Sequence, residues 1–127
     1  MDTYEGFRGF LRKTPPEAKN KDLYRRLSKR SIEILALLHR RFPTLTPTTA
    51  CFDSGQGDGS ILLISWQAEN LYIEGEFLGD EKLEWFSQDL KTKALWEHVQ
   101  DPDDPTENWT LSPRVFAHIG TFLSPNQ

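Results

Sequence analysis

Four carboxylates fall within seven residues at Asp101, Asp103, Asp104 and Glu107, with Asn108 adjacent, and loop oxygens at that density are what a hard cation such as calcium requires. The spacing does not follow an EF-hand loop, no Gly stands at a sharp turn, and Pro102 and Pro105 stiffen the segment, so it reads as a solvated acidic loop. The stretch from Asp53 through Asp58 to Gly59 has the look of a phosphate or metal loop. It lacks the Lys-Ser/Thr of a phosphate loop and reads as a flexible turn. His39, His98 and His118 are the only imidazoles, and nothing in their spacing requires them to meet. Cys51 paired with His98 would need proximity and a third orienting group before it could act as a nucleophile. Glu74, Glu76 and Glu84 alternate on adjacent candidate strands, where carboxylates sharing a face do acid and base work only if a cleft raises one pKa. The simpler reading is the wet side of a half-buried sheet. No catalytic residue, metal site or cofactor is therefore expected, and a small enzyme using scattered carboxylates and histidines is only a third reading of the chain.

Charge is divided along the chain. Residues 1–41 hold eleven of the fifteen Lys and Arg against five acids, a net of +6, while residues 42–127 hold four against fourteen, a net of −10, and together these give −4. Such a dipole can steer charged partners or help the two halves meet. Arg25, Arg26, Lys29 and Arg30 span about one and a half helical turns and could grip phosphates in a salt-sensitive way. The simpler reading is a solvated helix face, a docking surface for an acidic protein comes next, and the acidic balance of the whole argues against a dedicated nucleic-acid binder.

The elements that must position these groups belong to one globular domain over 1–127, long enough to bury a core without staples. One cysteine excludes a disulfide framework and fits a reducing compartment, the longest apolar runs are too short to span a bilayer, and the cytoplasm is the expected location. Residues 1–21 read as an arm or short helix weakened by Gly6 and Gly9 and broken at Pro15 and Pro16. A helix over 22–42, with Asp22 as N-cap, carries Leu23, Leu27, Ile34, Leu35, Leu38 and Phe42 on one stripe and stops at Pro43. The Thr-, Pro- and Gly-rich residues 44–59 read as a loop. A sheet over 60–99 follows as an antiparallel meander of three or four strands: 61–66, 71–77, 82–87, and a segment from Ala94 to Val99 that is either a fourth strand or a short helix. Ser112 as N-cap and Pro113 at the first helical position open a closing helix over 112–123. The fold class is α+β, with both long helices on the same face of the sheet.

The stretch Asp58-Gly59-Ser60-Ile61-Leu62-Leu63-Ile64-Ser65-Trp66, with Leu71-Tyr72-Ile73-Glu74 and Leu83-Glu84-Trp85-Phe86 after it, resembles a loosely defined group of small uncharacterised bacterial proteins. Their pattern is an Asp-Gly turn, a strand ending in Trp, and a hairpin leading to an aromatic third strand; here Trp66 falls one residue late, as a bulge would produce. The resemblance covers about residues 43 to 90 and implies helices flanking an antiparallel sheet. Some members look like antitoxins or other partners encoded beside a toxin, so an interaction role is implied, and no catalytic residue carries over. Trp66, Trp85 and Trp96 read as core, whereas Tyr72 and Phe86 share the face that bears the acids. The expected function is thus a non-enzymatic, antitoxin-like or immunity-like module whose surface of Tyr72, Glu74, Glu76, Glu84 and Phe86 covers a basic protein partner. The alternative is nucleic-acid binding through Arg25, Arg26, Lys29 and Arg30.

Overall fold

The computed structural model describes residues 3–13, 21–52, 60–107 and 110–125. Its elements run α1 (Thr3–Leu11), α2 (Lys21–Arg41), β1 (Thr46–Phe52), β2 (Ser60–Ala68), β3 (Leu71–Leu78), β4 (Leu83–Asp89), β5 (Leu95–Gln100) and α3 (Pro113–Gly120). The class is α+β. The meander has five strands in the order β1-β2-β3-β4-β5, every neighbouring pair antiparallel, rather than the three or four expected.

The additional strand is β1, inside the stretch read as a loop. Its sequence TPTTACF places Pro47 where an edge strand tolerates a missing N–H, and its β-branched threonines suit a pleated surface. An extra residue at Thr48 bulges it against β2, and a second bulge falls at Ile61 of β2 against β3. The segment after Ala94 is strand, not helix, and pairs with β4 from Gln88↔Leu95 to Leu83↔Gln100. Asp22 lies inside the first turn of α2, not at its cap, because the helix begins at Lys21. The closing helix ends at Gly120, short of Leu123. The break expected at Pro15 and Pro16 and the turn expected from Asp53 to Gly59 fall outside the described residues.

Period-two alternation sends Leu62, Ile64 and Trp66 of β2, Leu71, Ile73 and Phe77 of β3, and Leu83 and Trp85 of β4 into one core. The helices close that core with Leu11 of α1, Leu27, Ile34, Leu35 and Leu38 of α2, and Val115 and Ile119 of α3, so all three helices cover the same sheet face. On α2, Ser28 and Ser31 complete the buried stripe, and the Ser31 hydroxyl donates to Ser28 O at 2.7 Å. The Phe116 ring of α3 lies 5.1 Å from Phe42 and under the Arg41 guanidinium, tying α3 to the end of α2.

Gly75 is the position where the inner face demands glycine. It stands between Ile64 and Trp85 in the sheet, and a Cβ there would lie 3.2 and 3.3 Å from the Trp85 ring. That ring stacks 6.0 Å from Trp66 and is pinned by its Nε1–H donating to Gln100 Oε1 at 3.2 Å, so it cannot swing aside. Gly75→Val should therefore cost about 1–3 kcal/mol by overpacking, read as a lowered urea midpoint; an unchanged midpoint would contradict this packing.

Candidate functional site

The opposite face of the sheet has no helix over it among the described residues, and its side chains form rows across the strands. One row runs Thr49, Ser65, Glu74, Phe86, Glu97; the next runs Cys51, Leu63, Glu76, Glu84, Val99; a third carries Gln67, Tyr72, Gln88 and Leu95. All five residues expected to bind a partner, Tyr72, Glu74, Glu76, Glu84 and Phe86, are neighbours here. Three further members were not anticipated: Glu97, and Leu95 and Val99, which are 64% and 50% exposed. They escaped notice because Ala94–Val99 read as strand or helix, and only a strand puts them on this face.

Register makes the electrostatics specific. Glu76 and Glu84 are directly opposite, and Glu74 and Glu97 stand on either side of Phe86. Like charges directly opposite in a sheet are destabilising. Among the described residues no Lys, Arg or His forms an ion pair with Glu74, Glu76, Glu84 or Glu97. A depression of about 360 Å³ opens over this group, lined by the four carboxylates, Phe86 and Val99 with Trp85 and His98. At its edge Tyr72 donates to Glu74 Oε2 at 2.8 Å and meets the Phe86 ring edge-on at 6.5 Å. Burial, and then the hydrogen bond and charge of Glu74, push the Tyr72 phenol above its usual range, so it remains a neutral donor at neutral pH.

The basic helix is not a free array of cations. Arg26 pairs with the Glu81 carboxylate at 3.1 Å, and Arg30 donates to the Glu81 backbone carbonyl at 3.1 Å. Glu81 sits in the β3–β4 turn at φ 68, in the left-handed region, so two of the four basic residues hold a strained turn in place. Burial lowers the Arg30 pKa, opposed by Glu81 and Glu33. Arg25 pairs with Asp22 on the surface, and Lys29 is exposed.

A buried polar network lies behind β5. The Gln100 side chain accepts from Trp85 Nε1 and from Ser112 N at 3.1 Å, and donates to Glu107 O at 3.2 Å. Glu107, assigned from sequence to the solvated acidic loop, is instead 5% exposed and pairs through Oε1 with His98 Nε2 at 2.9 Å. The reason is positional: Glu107 closes the turns that follow β5 and faces the inner side of that strand, leaving Asp103 and Asp104 outside. Asn108 lies outside the described residues. Ser112 caps α3 by accepting from Arg114 N, and its hydroxyl lies 3.3 Å from the same His98 Nε2. Ser112, His98 and Glu107 thus have the composition of a hydrolytic triad without its geometry. A triad places acid and nucleophile on opposite ring nitrogens, whereas here both contact Nε2.

The remaining imidazoles do not assemble a site. His118 contacts Ser87 Oγ at 2.6 Å through Nε2 and stacks on Trp96 at 3.9 Å; Ser87 is 1% exposed, out of reach of a substrate. His39 stacks on Tyr4 at 4.1 Å. Cys51 is on β1 and His98 on β5, opposite edges of the sheet roughly 19 Å apart at the usual strand spacing, so they cannot pair. Among the described residues no group of three or more His, Cys, Asp or Glu is placed to hold a metal, and no helix is long and apolar enough to cross a membrane.

Compared with known proteins, the chain matches no family model, no curated protein and no solved structure.

Two outcomes follow from these contacts. Arg30→Ala should lower stability by about 1–2 kcal/mol in urea unfolding, because a charge-assisted bond to the turn is lost, while Arg25→Ala should change it by less than about 0.5 kcal/mol; equal losses would contradict the assignment. Burial lowers the His118 pKa below its usual 6.5, so below that value the unfolded chain binds more protons than the folded one. The melting temperature should therefore fall as pH drops through 6.5 and downward, and His118→Gln should flatten that part of the profile; an identical slope in the variant would refute the linkage.

Proposed function

We propose that this protein is a non-enzymatic interaction module that uses the open sheet face to cover a basic partner protein, in the manner of an antitoxin-like or immunity-like inhibitor. The observation that carries the reading is the direct opposition of Glu76 and Glu84 within a set of four carboxylates that no cation of the described chain neutralises. An arrangement that weakens the free sheet is relieved when Lys or Arg from another molecule enters it. Phe86 and Tyr72 supply the aromatic anchors, and Leu95 and Val99 the apolar margin, that convert charge attraction into a desolvated contact. Blocking is steric and electrostatic, and the single Cys51 suits action in the reducing cytoplasm.

Nucleic-acid binding through the basic helix is the second reading, supported by a depression of about 280 Å³ that Arg12, Arg25 and Lys29 line together. It is weaker because Arg26 and Arg30 already hold the Glu81 turn.

Co-purification of the tagged protein from its native cells at moderate salt should yield one stoichiometric basic protein. Phe86→Ala and Glu76→Lys should each reduce the yield of that partner about tenfold or more while leaving the circular-dichroism spectrum unchanged. Nucleic acid that washes off with salt, with Arg25→Glu abolishing its retention, would replace this reading with the second.

A further inference from the structure

The two edges of the sheet are built differently. β1 carries Pro47, a bulge at Thr48, and α1 packed beside it through the Phe10–Phe52 contact at 5.2 Å, all devices that stop another strand from pairing. β5 has neither a proline nor a bulge, and α3 meets it on the inner face of the sheet, through the Trp96–His118 stack at 3.9 Å. It is regular over all six pairs with β4, contains no Pro, Lys or Arg, and among the described residues no backbone group outside β4 hydrogen-bonds to residues 95–99. Its outward side chains read apolar, acidic, apolar: Leu95, Glu97, Val99.

We infer that β5 is a strand-addition site that pairs antiparallel with an extended segment of the partner, whose side chains facing the open surface alternate apolar, basic, apolar. The inference rests on the reading of the open face as the site for a basic protein and specifies how that protein engages it. Residues directly opposite in an antiparallel pair have Cβ atoms about 5 Å apart, so a Lys or Arg of the added strand meets Glu97 and its apolar neighbours meet Leu95 and Val99. Main-chain hydrogen bonds supply affinity and the alternate side chains supply specificity. The added basic side chain continues the row that already holds Glu74, Phe86 and Glu97, which brings it to the rim of the carboxylate depression. A second copy of the chain fits worse. Antiparallel pairing of β5 with itself that sets Leu95 against Val99 also sets Glu97 against its own copy, and it merges two acidic faces.

The test is an NMR titration of the full-length, isotope-labelled protein with the peptide Thr-Val-Thr-Arg-Thr-Val-Thr. Two isomers of it are N-methylated on alternate residues, so that each has one hydrogen-bonding edge blocked. The parent peptide should shift the amides of residues 95–99 saturably and slow their hydrogen exchange. One isomer should bind like the parent and the other should lose roughly tenfold or more in affinity. Glu97→Lys should weaken the parent peptide roughly threefold to tenfold and favour a version with Glu in place of Arg. Equal binding by both isomers would overturn strand addition while leaving the face as a side-chain docking surface. No binding by any peptide would also overturn it, and the Phe86→Ala capture experiment decides the face reading independently. Protection of residues 95–99 that rises with protein concentration alone would overturn it in favour of a second copy.

Discussion

The Trp85 ring packs against Gly75 at a distance that leaves no room for a Cβ there, and its indole N–H donates to the Gln100 side chain. Much of the C-terminal third depends on that one contact. The Gln100 side chain also donates to Glu107 O and accepts from Ser112 N, which ties the chain after β5 and the start of α3 to the same side chain. Ser112, so placed, caps the helix, and Glu107 is drawn inward onto His98. Breaking a network of this kind leaves buried polar groups without partners, which costs more than each bond contributes when intact.

The same one-sided packing organises the charge. The helices satisfy the inner face, so the sheet needs nothing on its outer face for stability, and residues there are free to serve another purpose. The basic N-terminal part of the chain becomes the helical layer, where Arg26 and Arg30 hold the Glu81 turn and His39, Arg40 and Arg41 occupy the favourable last turn of α2. The acidic remainder supplies the sheet and its open carboxylate face. The sequence dipole therefore becomes a difference between the two layers of the fold. Coulombic attraction across the β3–β4 turn joins them, while the face with Glu74, Glu76, Glu84 and Glu97 retains negative charge that the helical layer does not reach.

Alternation made the face legible before its neighbours were known. Tyr72, Glu74 and Glu76 against Ile73, Gly75 and Phe77 could be sorted to opposite sides from period alone, and Ser112-Pro113 announced the start of α3. Register was not legible. That Glu76 faces Glu84, and that Glu97 extends the row through Phe86, depends on the lengths of turns held by left-handed Glu81 and Lys93, neither of which is a residue that advertises such a conformation. β1 was hidden because Thr and Pro are both turn and edge-strand residues, and the choice between them is made by β2 offering a partner. Glu107 was hidden because its neighbours Asp101, Asp103 and Asp104 share its charge but not its burial; only the position of His98 separates it from them.

If the opposed carboxylates of the outer face are held for a partner, as we propose, the free protein bears a cost for them. Urea unfolding of the wild type and Glu84→Lys at low salt measures that cost, because the substitution replaces a like-charge pair across β3 and β4 with an opposite one. The variant should be more stable by about 0.5–1 kcal/mol, with the gain shrinking as salt is added. A variant that is less stable, or equally stable at every salt concentration, would mean that Glu76 and Glu84 do not repel in the free protein and that the outer face is not held at a cost.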